Sequence, residues 1–140
     1  MKRFKKIIQG TLLCLPLLMA GTAVTAANAN TAATAAAAVD KAVVKREIDH
    51  LLQTLVTSKC QFNRNGSWYD GADAKSHLTK KYDYFLVRGE ITNAESFIEL
   101  AASKSSFSGK AYLVKCGDAK PVESAEWLKQ ELARYRSTGK

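Results

Sequence analysis

The sequence predicts a small α+β domain, an antiparallel sheet of two hairpins with about four helices packed on it, in the order α-ββ-α-α-ββ-α. Three observations predict it. Apolar residues recur at spacings of three and four between Val44 and Val56, as on one face of an amphipathic helix. Asn65-Gly66 stands between two alternating segments, where a tight hairpin needs two residues of positive φ. Ala111-Tyr112-Leu113-Val114-Lys115-Cys116 then reads as a strand that turns at Gly117-Asp118.

The elements follow in order. Residues 30–39 are low-complexity Ala/Thr and predict a loose leader with nothing large to bury. Order is expected from Asp40, as helix N-cap, and the single domain from there to residue 136, with 137–140 a flexible tail. In the first helix Val44, Ile48, Leu51, Leu52, Leu55 and Val56 form the buried stripe. Lys45, Arg46, Glu47 and Asp49 fall on the opposite side. Residues 60–64 and 67–69 are the arms of the first hairpin. Asp70 is expected to cap a second helix whose inner face carries Ala74, His77, Leu78, Lys81 and Phe85, and Gly89 to end it. Thr92-Asn93-Ala94-Glu95 has the spacing of a capping box for a short third helix, with Ala94, Phe97, Ile98 and Ala101 inward. After a serine-rich loop and the strand at 111–116, Lys120-Pro121-Val122 suits a brief edge strand. Ser124 is then expected to cap the last helix, with Ala125, Leu128, Leu132 and Tyr135 aligned.

The N-terminus predicts where the domain works. Lys2, Arg3, Lys5 and Lys6 precede an apolar run over 7–20, and Ala27-Asn28-Ala29 offers small residues at the −3 and −1 positions of a signal-peptidase site. The expectation is a signal peptide over 1–29 and a periplasmic or secreted protein, with no membrane span after cleavage near Ala29. The apolar run is shorter than the ~20 residues a span needs. Residues 1–29 hold half of the formal net charge of +8, so the mature chain carries only +4. That mild excess does not make a nucleic-acid footprint, and no nucleic-acid partner is expected. Cys14 leaves with the signal. Cys60 and Cys116 remain in a compartment where disulfides persist, which favours an internal bridge over two free thiols or a link between chains. Their bridge would close a loop of about 55 residues, a contribution of roughly 4 kcal/mol in the chain-entropy model. Neither His50 nor His77 combines with them in zinc-ligand spacing, so no metal or other cofactor is expected.

Three groups of residues could carry chemistry. Arg64, Asn65, Trp68 and Tyr69 surround the first turn, and an arginine beside aromatics suits an acidic sugar, a peptide or a lipid head group as well as it suits plain packing. The loop Ser103–Lys110, with Ser106, Ser108, Gly109, Lys104 and Lys110, could cradle an anion. It lacks the glycine spacing of a phosphate loop, which favours short polar side chains that satisfy a helix C-terminus. His77 with Ser106 or Ser108 would be the minimal hydrolase, but neither a Gly-x-Ser-x-Gly elbow nor a Ser-x-x-Lys pair is present. Lys80-Lys81 and the basic residues of the last helix are read as a solvated face.

Several segments recur in a familiar order: Phe62-x-Arg64-Asn65-Gly66, His77-Leu78, Ala94-Glu95-x-Phe97-Ile98, Ser105-Ser106-x-Ser108-Gly109-Lys110-x-Tyr112 and Trp127-Leu128. Over roughly 44–136 the chain resembles the YfeK-like family of short exported bacterial proteins, a domain of unknown function. The resemblance implies a one-domain bacterial envelope protein and brings no activity, cofactor or catalytic residue. It draws attention to Arg64, Asn65, Gly66, His77, Ser106, Ser108, Gly109, Lys110 and Tyr112; Ala111 stands where proline is expected in relatives. The combined expectation is a non-enzymatic module that binds an anionic or peptidic envelope component through the first turn and the serine-rich loop. Its ligand residues would be Arg64, Asn65, Tyr69, His77, Ser106, Ser108, Lys110 and Tyr112. The alternatives are the small Ser/His hydrolase and a structural or inhibitory partner of an envelope protein.

Overall fold

In the computed structural model the described residues are 29–139, with side chains from Asp40 onward. The export signal expected over 1–29, including Cys14, lies outside them apart from Ala29. Among the described residues four helices and a four-stranded antiparallel sheet make the predicted α+β fold. The first helix, α1, spans Ala29–Thr57 and runs unbroken through Asp40, which is therefore not its N-cap. The alanine-rich stretch has the highest helix propensity available and continues the amphipathic segment backward. Of the predicted stripe Ile48, Leu51, Leu52 and Leu55 are buried and Val44 packs half-buried at its edge, whereas Val56, expected inside, is exposed at the end of the helix.

The strands are β1 (Gln61–Arg64), β2 (Ser67–Tyr69), β3 (Leu113–Lys115) and β4 (Val122–Glu123), in the order β2-β1-β3-β4. Asn65 and Gly66 take positive φ of 54° and 93°, and Arg64 faces Ser67 across the turn they make. What local pattern left open is the joint between hairpins: β1 pairs antiparallel with β3, Gln61 opposite Lys115 and Phe62 opposite Val114. One step further along that register Cys60 meets Cys116, and the two form the expected disulfide with Cα atoms 4.3 Å apart. That is the spacing of a non-hydrogen-bonded antiparallel pair, so the staple extends the ladder.

Helix α2 (Gly71–Val87) begins as predicted, with the Asp70 carboxylate accepting from the Asp73 N–H. It ends at Gly89, φ 71°, where the amides of Gly89 and Glu90 donate to the carbonyls of Leu86 and Phe85 in a Schellman arrangement. Gly71 has a role the sequence did not announce. A Cβ there would stand 2.1 Å from the Leu55 carbonyl oxygen, so only glycine lets α2 start against the end of α1.

Helix α3 (Ala94–Phe97) opens one residue later than expected. Its capping box is Asn93 with Ser96, not Thr92 with Glu95: the Ser96 amide donates to Asn93 Oδ1 at 2.7 Å and the Asn93 amide to Ser96 Oγ at 3.2 Å. The chain continues as a wider π-helical turn, Ile98–Ala102, and Ala94, Phe97, Ile98 and Ala101 are fully buried. Helix α4 (Ser124–Ser137) is likewise preceded by Glu123 as N-cap, not Ser124. Ser124 is instead 2 % exposed, its amide donating to the Tyr112 carbonyl. Leu128 and Leu132 complete a core made mainly by the four helices, with Phe62 and Val114 closing it from the sheet.

Candidate functional site

Strand alternation and one helix face build a cleft. Phe62 and Arg64 lie on the same face of β1, with Tyr69 opposite Phe62 on β2. Tyr112, just before β3, is clamped by its backbone: its N–H donates to the Ser103 carbonyl and its carbonyl accepts from Ser124. Across from them α2 presents Asp73, Ala74, Ser76, His77 and Lys80. Between the two surfaces is a cleft of about 260 Å3, just below the range of small-molecule sites, about 300 to about 1,000 Å3.

The cleft is cationic and aromatic. The Arg64 guanidinium lies 4.7 Å from the centroid of the Tyr69 ring, and none of the ion pairs among the described residues involves it. His77 Nε2 and the Tyr112 hydroxyl are 3.0 Å apart and share a hydrogen bond, with the rings edge to face. Burial lowers the His77 pKa, and Arg64, Lys81 and Lys80 add to the effect by opposing a further positive charge. Burial raises the Tyr112 pKa, with Arg64 pulling weakly the other way. A neutral imidazole and a protonated phenol therefore face the cleft at neutral pH. Behind them Lys81 reaches over the Tyr112 ring, 5.3 Å from its centroid, and donates to the Lys104 carbonyl at 2.8 Å. Burial and the neighbouring Lys104 bring its pKa down to about 8.

The residues expected from the sequence separate into three placements. Arg64, Tyr69, His77 and Tyr112 line the cleft together. Asn65 and Ser108 meet beside it: the Ser108 hydroxyl lies 2.6 Å from Asn65 Oδ1 and donates to it, so the first turn and the serine-rich loop share one end of the domain. Ser106 and Lys110 are exposed and do not line the cleft. The loop is a small hairpin of its own, with Lys104 bridged to Ala111. The Ser105 and Gly109 amides bond to the carbonyls of Lys110 and Ser105, and those of Ser108 and Lys110 to the hydroxyls of Ser105 and Ser108. Amides already spent inside the loop are not free to cradle an anion. The His77 imidazole is engaged by Tyr112 and the Ser108 hydroxyl by Asn65, an arrangement that gives no support to a Ser/His dyad.

Two contributors escaped the sequence. Lys80, expected on a solvated face, is exposed and also borders the cleft, as does Ser76. At the other side of the molecule Glu47, expected on the polar face of α1, is buried, because Arg136 of α4 neutralises it. Arg136 Nε and Nη2 donate to the two Glu47 oxygens at 2.7 and 2.9 Å, and Nη1 donates to Glu95 at 2.5 Å. Arg136 is thus a clamp across α1, α3 and α4. Eighty-nine residues separate Glu47 from Arg136, and no local pattern links them.

No curated protein and no solved structure gives a significant match to the chain. A family model does, over residues 42–136, nearly the same stretch that the resemblance covers, although it does not carry the YfeK-like name. Its description, a family of unknown function, assigns no activity. On that match, which spans all of the cleft and its supporting core, the chain belongs to the DUF5329 family.

Proposed function

We propose that the domain is a non-enzymatic binding module for an anionic or peptidic component of the bacterial envelope, and that the cleft between β1, β2 and α2 is where it binds. The observation that carries this reading is Arg64: a guanidinium set over Tyr69, in a concave site, with no carboxylate partner among the described residues. A structural arginine is normally spent on a carboxylate, as Arg136 is. A carboxylate or phosphate entering the cleft would find Arg64 and Lys80 as cations, Tyr112 and His77 as hydrogen-bonding partners, and Tyr69 as a wall. Asp73 at the same site disfavours a ligand of dense negative charge and suits an acidic peptide with an amide or ammonium group to offer it.

Export of the domain is part of the same reading, supported by the N-terminal pattern and by the Cys60–Cys116 bridge. Among the described residues no helix is long and apolar enough to cross a membrane. The test is an NMR titration with an acetylated Glu-containing dipeptide, its amidated Gln counterpart and inorganic phosphate. Shifts at Arg64, Tyr69, His77 and Tyr112 with the acidic dipeptide are expected, weakened about tenfold in Arg64→Ala, as loss of one charge-assisted contact implies. Equal binding of the Gln peptide, or no loss in Arg64→Ala, overturns the reading. Crosslinking from an envelope extract, with Arg64→Ala as the control that should lose it, then identifies the natural partner.

A further inference from the structure

Beside the cleft, the loop 103–110 carries Phe107 at its tip, 98 % exposed. An apolar ring fully in water within an otherwise hydrogen-bonded loop has no folding role to explain it. Its surroundings share one charge. Between Glu99 and Asp118 the chain has no acidic residue but contains Lys104, Lys110 and Lys115, and from Cys60 to Tyr69 it has none but contains Arg64. The Ser108–Asn65 hydrogen bond brings these two acid-free segments into contact, and Trp68, 41 % exposed, lies just past the turn on β2. The result is a projecting tip with an aromatic ring at its apex, exposed lysines at its base and no carboxylate in either segment.

We propose that this tip docks the domain on an anionic bilayer surface, with Phe107 entering the headgroup region and Lys104 and Lys110 facing lipid phosphates. Charge complementarity favours a membrane over a protein partner, and so does shape. A stable protein interface needs roughly 800 Å2 of matched surface from each side. A single ring on a convex loop offers far less, whereas a fluid interface accepts an isolated aromatic anchor aided by basic residues. The amides of Ser105, Ser108, Gly109 and Lys110 are bonded within the loop, so only the backbone groups at the tip itself are left for the hydrated headgroup region to solvate.

The test uses the mature chain and vesicles of phosphatidylcholine alone or mixed with phosphatidylglycerol, read by co-sedimentation. Binding is expected only to the mixed vesicles. It should fall about tenfold in Phe107→Ser and about fivefold for each of Lys104→Gln and Lys110→Gln, as loss of roughly one surface cation implies. It should also fade as ionic strength rises from about 0.1 M to about 1 M, where the Debye length shortens to about 3 Å. Circular dichroism controls for folding, which the fully exposed Phe107 should not affect. Arg64→Ala should weaken the acidic dipeptide in the cleft yet leave vesicle binding within about threefold, and Phe107→Ser should do the reverse, so the two readings fail separately. No binding to mixed vesicles at low salt, or binding unchanged in Phe107→Ser, overturns the membrane proposal. So does a Phe107-dependent protein partner recovered in place of vesicle binding.

Discussion

Arg136, at the seam of α1 and α4, and Arg64, in the cleft between sheet and α2, are both arginines held against other elements, but in opposite settings. Arg136 meets two carboxylates, one of them buried. Beside it His50 is bonded to Glu131 at 2.7 Å, which also accepts from Arg134, and the His50 ring stacks on Tyr135 at 4.1 Å. On that side charge is matched and serves to join helices. Around the cleft Arg64 and Lys81 meet aromatic rings and a backbone carbonyl, while Lys80 and Asp73 line it and take part in none of the ion pairs among the described residues. Paired charge is what a fold needs. Unpaired charge, placed where a pocket opens, is left for something else.

The comparison can be tested in descending order of effect. Replacing both Cys60 and Cys116 by Ala should cost roughly 4 kcal/mol in denaturant unfolding, because the bridge closes the long loop that holds the cleft strands together. Arg136→Leu should cost about 3 kcal/mol by leaving the buried Glu47 carboxylate unpaired. Arg64→Ala should cost less than about 1 kcal/mol, the worth of one cation–π contact; an equal loss at both arginines would erase the distinction drawn here. Tyr112→Phe should cost about 1 kcal/mol through its hydrogen bond to His77.

Acid should act on the two sides in different windows. The hydrogen bond from Arg136 lowers the Glu95 pKa below its ordinary 4.5, so this carboxylate's contribution is present above that value and is lost as pH falls through the folded pKa. Burial pushes Glu131 upward, but the hydrogen bonds from Arg134 and His50 prevail, and it behaves alike. His77 is shifted below 6.5, so the unfolded chain takes up its proton first and stability declines from about pH 6.5 downward. Lys81 gives the alkaline counterpart. With a folded pKa of about 8 against 10.5 unfolded, stability should rise between those values, and Lys81→Met should remove that rise. Stability curves of His77→Phe and Arg136→Leu should therefore lose the near-neutral step and the Glu95 part of the acidic step respectively, the Glu131 part remaining. A shared window for both would contradict the assignment.

Much of the scaffold was legible because its causes are local. The stripe from Ile48 to Leu55, the Asn65-Gly66 turn, the Asp70 cap and the Gly89 stop each depend on neighbours within about one turn of chain. The one-residue shifts have different causes. At α3 the adjacent Thr92 and Asn93 are both capping residue types, and Asn93 makes the box with Ser96. At α4 Glu123 precedes the helix without a side-chain cap, and the Ser124 amide bonds to the Tyr112 carbonyl. The site was half legible. Arginine beside Tyr69, and His77 on an inner helix face, were visible as chemistry-bearing residues, but Lys80 was not separable from its neighbour Lys81 without the cleft.

Residue order alone determined most element types and the first turn, since propensity and positive-φ glycine or asparagine are properties of short segments. It left the Cys60–Cys116 bridge as an expectation, which the β1–β3 register brings about. Tertiary structure decided which side chains meet: β1 beside β3, Gly71 against Leu55, Glu47 with Arg136, His77 with Tyr112. Those contacts join residues tens of positions apart. Their stability comes from burial and desolvation that exist only once the layers have closed, so no local pattern encodes them. The unpaired Arg64 and the bare Phe107 belong to the same class, because being without a partner is a property of the folded surroundings.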